Sequence, residues 1–480
     1  MFFKKYFISL IVMIIGSGCM FHGNTPIAKG PESFSVDNAQ NPDRDLAEYP
    51  WWQDIGSAEL NALVSEAHEK NLQVSIAIKN IESAQSALDT VRLGWLPIAS
   101  LMVGRVQGGG TVYLPNLPTP LSSAGGFAAF LPMWVANIVQ LPNQSNAAQK
   151  KVEATASDYL ALRTAITAQV VSAYAVLLAS IEEETILKAL RENLQLRLNT
   201  TRSLTDRGLN SEVSYNEINS EMQKLEAQIA SNKSNKIAAK NALLILVGRQ
   251  IATFSPSESF DKLNLNHIAP GNTPTSVLAT RPDVVAARAK IEAADYGVSS
   301  TASLFAPIPT FTTANTRINA SNNGVDSTTN ANMQAGFALW VLDPKFIGKI
   351  NSQNKQYDAS LINYLSVVNN AMQEVDDALA SFEAKQVNLA KEEKTLNNSQ
   401  QNLTTYKAMY KNGLMANTQY LEVAARFDLA QMAILQTKVQ AIIALSKLYQ
   451  SMGGGTTYNE KTYSLKNQTI IEKEPIHAQD

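Results

Sequence analysis

Apolar residues recur every three or four positions over long stretches of this chain, which is the spacing of the buried face of an α-helix. The pattern predicts helices over these ranges: about 57–95, 147–206, 212–246, 282–305 and 420–451. A further long helix precedes Gly413 and carries a heptad seam, which is typical of a coiled coil. The seam consists of Leu361, Leu365, Val368, Met372, Val375, Leu379 and Phe382. A helix of about 60 residues is roughly 90 Å long, so such helices do not make a compact globule.

Two regions between the helices have a different pattern, which predicts β-strands. Residues 98–145 combine alternating apolar residues with glycines and a proline-rich stretch, which indicates two strands and a connecting loop. In the second region, small polar residues alternate with Phe311, Thr313, Asn315, Arg317 and Asn319. The stretch from Met333 through Phe337 and Leu339 to Val341 alternates between apolar and polar residues more regularly. The chain is therefore predicted to contain four strands in two pairs.

The helical pattern is duplicated along the chain. Gly208 and Gly248 recur as Gly413 and Gly453, in both cases 205 positions later. A second pair of segments agrees at an offset of 210, since Ile81-Glu82-Ser83-Ala84 resembles Ile291-Glu292-Ala293-Ala294. A duplicated long-helical unit indicates structural pseudo-symmetry, which favours a scaffold, tube or channel over an enzyme.

Composition and strand number limit the function further. Charged residues make up 17% of the chain and the formal net charge is −2, so nothing suggests nucleic acid as a partner. Four strands cannot close a membrane barrel, because the smallest known barrels have about eight. An open sheet edge is not tolerated in lipid, so membrane-spanning strands would require several chains to share one barrel. Three chains would supply twelve strands.

The N-terminus has the pattern of an export signal. Lys4 and Lys5 precede the short apolar run 6–15 and a small-residue cleavage zone, and no later stretch is predicted to span a membrane as a helix. The single cysteine, Cys19, follows directly. It is interpreted either as the lipidation site of a bacterial lipoprotein or as an incidental residue within an ordinary signal peptide. Gly16 stands where lipoprotein signals usually carry Leu, Val or Ile.

The order and spacing of several short motifs carry a family resemblance over about residues 48–455. The motifs are Arg281-Pro282-Asp283-Val284 with Pro307 after it, the helix breaks Arg207-Gly208-Leu209 and Asn412-Gly413-Leu414, and the closing Leu246-Val247-Gly248 and Gly453-Gly454-Gly455. Together they resemble the TolC-like outer-membrane efflux proteins, specifically the NodT-type lipoprotein subgroup. The repeat-opening motif Arg281, Pro282 and Asp283 is its most specific part.

The resemblance implies a mainly α fold with a membrane β-barrel. Duplicated helical hairpins and four strands per chain would form a trimeric, 12-stranded barrel and a periplasmic α-helical tunnel. It also implies an outer-membrane channel of a tripartite efflux pump, extending into the periplasm of a Gram-negative bacterium. The implied partners are two further copies, a periplasmic adaptor, an inner-membrane RND-type transporter and outer-membrane lipid. The strand loops near 108–125 and 320–330 would face the exterior, and no cofactor is implied.

The resemblance also assigns site residues. The helix breaks would be adaptor-docking tips, formed by Arg207, Gly208, Leu209, Asn412, Gly413 and Leu414. Tyr410 and Glu422 would constrict the entrance. The chain departs from the family pattern at Ile138–Ser145, which contains Pro142 and no glycine, in a second tip about three residues longer than usual, and at Ala425, where a second acidic residue often lies.

Alternatives remain open at these positions. Gly208 and Gly413 are also explained as ordinary helix C-caps. Leu209 and Leu414 either contact an adaptor or pack back onto their own hairpin, and Glu422 is either a pore-ring residue or a solvated helix residue. The four histidines lack metal-ligand spacing and no catalytic constellation is found. The competing functions are an exit duct for type I protein secretion and a non-channel coiled-coil envelope scaffold.

The pattern and the resemblance together predict the domain organisation. The bounds are a signal peptide at 1–18, a lipid-anchored linker at 19–48, a first repeat at 49–250 with strands at about 98–142, an inter-repeat linker at 251–275, a second repeat at 276–455 with strands at about 308–342, and a polar tail at 456–480.

Overall fold

The computed structural model of the chain describes residues 49–106, 125–135, 137–250, 254–265, 279–306, 308–320, 328–338 and 344–455. They fall into two compact units. The first comprises the described residues of 80–155 and 286–366, and the second comprises those of 28–79, 156–285 and 367–480. The predicted signal peptide, Cys19, the loop glycines 108–110 and the polar tail lie outside the described residues.

The helices and strands follow the predicted order, with seven α-helices and four strands in the part of the chain described. In chain order they are α1 (Ala58–Lys70), α2 (Leu72–Leu93), β1 (Ile98–Val106), β2 (Gly125–Val135), α3 (Gln140–Asp206), α4 (Glu212–Leu246), α5 (Pro282–Ala302), β3 (Ile308–Ala320), β4 (Thr328–Ala338), α6 (Pro344–Lys411) and α7 (Asn417–Ser451). Short 3-10 helices occupy Trp51–Ile55, Phe260–Lys262 and Ser303–Phe305.

The four strands form one antiparallel sheet in the order β1-β2-β3-β4. Ile98 lies opposite Met133, Gly125 opposite Ala320, and Ile308 opposite Ala338. The middle pair, β2 with β3, joins the strand pairs of the two repeats, which places β1 and β4 at the edges. The predicted strand residues Leu339 and Val341 lie outside the described residues.

The single helix predicted over 57–95 is wrong, because Asn71 divides it into α1 and α2. Asn71 has an extended backbone, with φ −63° and ψ 130°. Its side-chain Oδ1 accepts hydrogen bonds from the backbone N–H of Gln73 and Val74, at 2.8 and 3.3 Å. An Asx cap of this kind supplies partners for N–H groups that have none within the helix. Apolar periodicity continues across Asn71 and hides the break.

The second strand was predicted to extend to about residue 142, and this bound is also wrong. β2 ends at Val135 and α3 begins at Gln140, before the predicted start at Ala147. The Asn137 side chain accepts from the N–H of Gln140 at 2.9 Å and caps the helix. Pro142 therefore falls in the first turn, where a missing backbone N–H costs no intrahelical hydrogen bond.

The heptad seam of α6 is confirmed over most of its length. Val368, Val375 and Leu379 are buried, but Leu365 is 44% exposed in the single chain, and Tyr364 is buried in its place. No later stretch was expected to span a membrane as a helix, but by length and composition alone α3 and α7 each contain a window apolar enough to do so. These windows are 67% and 50% buried, and mostly buried helices of soluble cores have the same composition.

Candidate functional site

The predicted docking tips are the turns between α3 and α4 and between α6 and α7. Each connection has five residues, 207–211 and 412–416, so the two tips have equal length within the chain. The second tip was expected to run from Gly413 to Tyr420, about three residues longer than usual, but residues 417–419 form the first turn of α7. The tips therefore begin and end 205 positions apart, as the glycine pattern indicated.

Each tip has the hydrogen bonds of a Schellman motif, which ends a helix with a left-handed residue. Gly208 has φ +72°, and the next N–H, on Leu209, donates to the carbonyl of Leu204 at 2.9 Å. Gly413 has φ +71°, and the N–H of Leu414 donates to Met409 at the same distance. The C-cap explanation of both glycines is thus confirmed locally.

The two motifs turn an apolar side chain outward at each tip. Leu209 is 72% exposed and Leu414 is 71% exposed, so packing back onto their own hairpin is wrong for the single chain. Arg207 and Asn412 are exposed beside them. The two tips therefore present the same residue type at equivalent positions with equal exposure.

The side chains around the first tip form a charged cluster centred on Arg202. Its guanidinium lies 3.1 Å from Asp206 and 3.7 Å from Glu212, and it sits over the ring of Tyr215 with 4.9 Å to the centroid. Ser211 caps α4 by accepting from the N–H of Ser214 at 3.2 Å. The sequence interpretation had not singled out Arg202, because two of its partners, Glu212 and Tyr215, lie across the turn on α4.

The second tip is held by aromatic stacking. The rings of Tyr410 and Tyr420 are 5.1 Å apart with an interplanar angle of 5°. Tyr420 lies 205 positions after Tyr215, so equivalent tyrosines serve in a cation–π contact at one tip and a ring stack at the other. The N-cap position of α7 is Ala416, whose side chain makes no capping hydrogen bond.

The two predicted entrance residues are already engaged within the chain. Tyr410 belongs to the stack, and the Glu422 carboxylate pairs with Arg426 at 2.7 Å. One turn and a half further along α7, burial raises the pKa of Asp428 to about 6. Sequence reasoning missed this carboxyl, because nothing in the local pattern distinguishes it from the solvated acids nearby.

The repeat-opening motif forms a buried clamp in the second unit. Arg281 is 7% exposed, and its Nη1 donates to the carbonyls of Ser451 at 2.7 Å and Ala371 at 3.3 Å. It also pairs with Asp283 at 2.8 Å and Glu374 at 2.5 Å. Burial opposes the charge on Arg281, but the two carboxylates outweigh it and raise the pKa of the guanidinium. Pro282 begins α5, where a proline is well tolerated.

The first repeat has an equivalent clamp at Asn71. Its Nδ2 donates to the carbonyl of Leu246 at 2.8 Å, and Leu246 lies 205 positions before Ser451. In both repeats a buried side chain thus satisfies the last carbonyl of the returning helix. The glycine after that helix also packs on the clamp region: a Cβ on Gly248 would lie 2.2 Å from the carbonyl oxygen of Lys70.

Within the described residues, no group of three or more His, Cys, Asp or Glu side chains could hold a metal ion. The candidate site consists of the two helix tips and of the clamps at the far ends of the returning helices. Long paired helices that alternate with strand pairs, all duplicated, define the fold class of outer-membrane channels. A solved structure, the Campylobacter jejuni CmeC outer membrane channel, shares this fold with a TM-score of 0.75 and 18% identity over 91% of this chain and 95% of that one.

The chain belongs to the outer membrane efflux protein family, whose profile matches residues 63–249 and 273–454. It is 25% identical over 457 residues to Outer membrane protein OprJ of Pseudomonas aeruginosa, covering 90% of this chain and 91% of that protein. It is 21% identical over 472 residues to Probable outer membrane lipoprotein SilC of Salmonella typhimurium, covering 94% and 99%. The predicted fold, outer-membrane location and role as an efflux channel are thereby confirmed, and the non-channel scaffold is excluded.

Proposed function

We propose that the chain assembles as a homotrimer and forms the passive exit duct of a tripartite efflux pump. The observation that carries this proposal is the open sheet. Among the described strands, β1 pairs with β2 alone and β4 pairs with β3 alone, so each copy has two free edges. Free edges are not tolerated in lipid, and pairing β1 of one copy with β4 of the next would remove them all. Three copies supply twelve strands, an even number within the known range.

The helix tips are the proposed contact with a periplasmic adaptor, which would couple the duct to an inner-membrane RND-type transporter. Leu209 and Leu414 supply exposed apolar contacts on backbones of the same geometry. Arg207, Gly208, Asn412 and Gly413 position them. Exposed aliphatic side chains on a rigid turn lose little freedom on binding, which favours their use as anchors.

Tyr410 and Glu422 are the proposed constriction of the entrance. The Tyr410–Tyr420 stack and the Glu422–Arg426 ion pair would have to rearrange if these side chains are to line a narrow pore. The proposed cargo is small molecules, either drugs, toxic compounds or metal ions, and selection among them would lie with the transporter. Cys19 is proposed as a lipid anchor in the outer membrane.

The first experiment measures the mass and outline of the detergent-extracted species by light scattering and negative-stain imaging. A particle near three times the chain mass of 52.2 kDa is expected. A monomer, or a species recovered from the envelope without detergent, would contradict the shared barrel.

A second experiment tests the tips in cells that lack their own outer-membrane duct. The double variant Leu209→Ser with Leu414→Ser should lower tolerance to efflux substrates while outer-membrane protein levels stay constant. Ile245→Ser is the matched control, because Ile245 is an equally apolar, 63% exposed residue of α4 far from the tip. Equal tolerance in strains carrying the wild type, the double variant and the Ile245→Ser control would remove the docking assignment. Loss of a secreted protein from the double variant without loss of tolerance would favour the type I secretion duct.

A further inference from the structure

A groove in the second unit lies on the side of α3 away from α1. Helix α1 holds one face of α3, where the Glu59 carboxylate accepts from the hydroxyl of Tyr174 at 2.8 Å. On the same face, His68 of α1 contacts the hydroxyl of Thr167 at 2.8 Å. Glu183 of the groove follows Tyr174 by nine positions, which is about two and a half helical turns. The groove and α1 therefore occupy opposite faces of the same helix.

This placement suits a surface that cargo passes. The Glu59 carboxylate also accepts from the N–H of Ser257 at 3.0 Å, so the described linker residues 254–265 lie on the same side of α3 as α1. The lumen of a duct has to stay open, and helices and linkers that pack on one face would obstruct it. The face of α3 that carries α1 is therefore the outer one, and the face with the groove lines the duct.

The groove has the size and lining of a small-molecule site. Its volume is about 610 Å³, within the range of roughly 300–1,000 Å³ that ligand pockets have. Helices α3, α4, α6 and α7 all contribute to it. Aliphatic side chains such as Val176, Val439 and Ile443 share the lining with the carboxamides of Asn235 and Gln440. An apolar lining with a few polar groups suits an amphipathic organic molecule.

Two residues of opposite charge line the groove, and they stand on different helices. Glu183 belongs to α3 and Lys385 to α6. Burial raises the pKa of the Glu183 carboxyl, against the opposing effect of a hydrogen bond with Gln436 of α7. Neither charge forms an ion pair with a described residue, so they also do not pair with each other. A lone charge in a partly buried site is disfavoured, and a ligand that brings the opposite charge to each would relieve this.

We propose that this groove binds small organic zwitterions, which carry an ammonium group and a carboxylate at opposite ends of an apolar body. The ammonium meets Glu183, the carboxylate meets Lys385, and the apolar body lies on the aliphatic lining. A molecule with only one of these charges leaves the other residue without a partner. The inference deepens the proposed efflux duct and rests on it, because the groove holds cargo only where cargo passes.

The test uses norfloxacin, a fluorescent zwitterion with a piperazinium at one end and a carboxylate at the other. Its anisotropy is measured as detergent-extracted, full-length protein is added. The ethyl ester keeps only the cation, and the N-acetyl derivative keeps only the anion. Norfloxacin should bind saturably and at least about threefold more tightly than either derivative. Equal affinities would overturn the zwitterion assignment, and the absence of saturable binding would overturn the site.

Single substitutions connect the binding to the two charges. Glu183→Gln and Lys385→Met should each weaken norfloxacin binding roughly three- to tenfold. Glu183→Gln should spare the anionic derivative, and Lys385→Met should spare the cationic one. The matched controls, Glu182→Gln and Lys391→Met, change the same residue types on the same helices outside the groove and should leave all affinities unchanged. Equal weakening in the controls, or unchanged binding in both groove variants, would contradict the proposal.

Light scattering on the same samples separates this inference from the proposed function. A trimer that binds none of the three compounds saturably would overturn the groove and leave the duct standing, whereas a monomeric wild type would overturn the homotrimer itself. If a groove variant lowers the thermal midpoint, Thr437→Trp replaces it. Thr437 lines the groove on α7, so the indole should fill the groove and abolish binding of all three compounds. Binding retained in this variant would place the compounds elsewhere and overturn the site.

Discussion

Gly208 and Gly248 allow two energetic costs of replacing glycine by alanine to be compared: backbone strain at positive φ, and collision of the added Cβ with neighbouring atoms. Both have φ +72°, and both follow a helix in the same Schellman geometry. A Cβ on Gly208 would meet nothing within 4 Å, whereas a Cβ on Gly248 would lie 2.2 Å from the oxygen and 2.7 Å from the carbon of the Lys70 carbonyl. Alanine at Gly208 thus adds backbone strain alone, and alanine at Gly248 adds a collision with main chain as well.

The two costs can be estimated separately. Left-handed backbone costs an L-residue roughly 1–2 kcal/mol, which is the whole expected effect of Gly208→Ala. Overpacking against atoms that must shift typically costs a further 1–3 kcal/mol or so, which brings Gly248→Ala to about 2–5 kcal/mol. Gly453→Ala should fall between them, since its Cβ would lie 3.2 Å from the Cα of Arg281.

The assay is thermal unfolding of the detergent-extracted protein, followed by far-UV circular dichroism at one fixed scan rate. A fixed rate is needed because unfolding of such assemblies is often irreversible, so that the midpoint reflects kinetics. The expected order of decrease in the midpoint is Gly248→Ala, then Gly453→Ala, then Gly208→Ala. Equal decreases for Gly208→Ala and Gly248→Ala would refute the reasoning, because they would mean that the close approach to Lys70 carries no cost.

Three further predictions concern single side chains. Arg281→Met should destabilise the fold by about 2–4 kcal/mol, because it leaves the buried carbonyls of Ser451 and Ala371 without their donor. Arg288→Met, at an exposed i,i+4 pair, should cost less than about 1 kcal/mol in the same melts. Ala416→Ser should stabilise α7 by roughly 0.5–1 kcal/mol by adding the N-cap that Ser211 provides for α4, visible as slower hydrogen exchange at the second tip. The folded state holds a proton on Asp428 up to about pH 6, and the unfolded state releases it near the ordinary aspartate pKa of 3.8, so stability should fall as pH rises through that window. Asp428→Asn should remove this fall, roughly 1–2 kcal/mol after discounting for partial exposure, in melts between pH 4 and pH 7.

Helix ends were predictable wherever a glycine with positive φ terminates the helix. Gly208 and Gly413 break an otherwise continuous apolar period, and a left-handed C-cap is a local feature that the sequence displays directly. Asn71 was not predictable in the same way, because its capping role depends on the extended backbone that it adopts and the apolar period runs through it. Local pattern therefore locates a helix end that depends on backbone preference and misses one that depends on a side-chain hydrogen bond.

The clamps were beyond sequence reasoning for a different reason. The motif containing Arg281 was recognised, but its partners Ala371 and Ser451 are 90 and 170 positions away and contribute only backbone carbonyls. Every residue has a backbone carbonyl, so no residue type in the sequence marks the one that accepts this hydrogen bond. Asn71 lies 210 positions before Arg281, at the offset of the second pair of matched segments, but the two residue types gave no sign of a shared role, because arginine and asparagine have in common only the ability to donate a hydrogen bond to a carbonyl.

The two tips show which properties the duplication has kept. Helix bounds, loop length, glycine φ and leucine exposure all agree between the tips, whereas the contacts beneath them differ. The first tip relies on Arg202 over Tyr215 and on a serine cap, and the second relies on a stack of Tyr410 and Tyr420 without a cap. Since different side chains support the same backbone, the feature held constant is the placement of Leu209 and Leu414. The proposed docking of both tips onto one kind of adaptor surface requires this constancy.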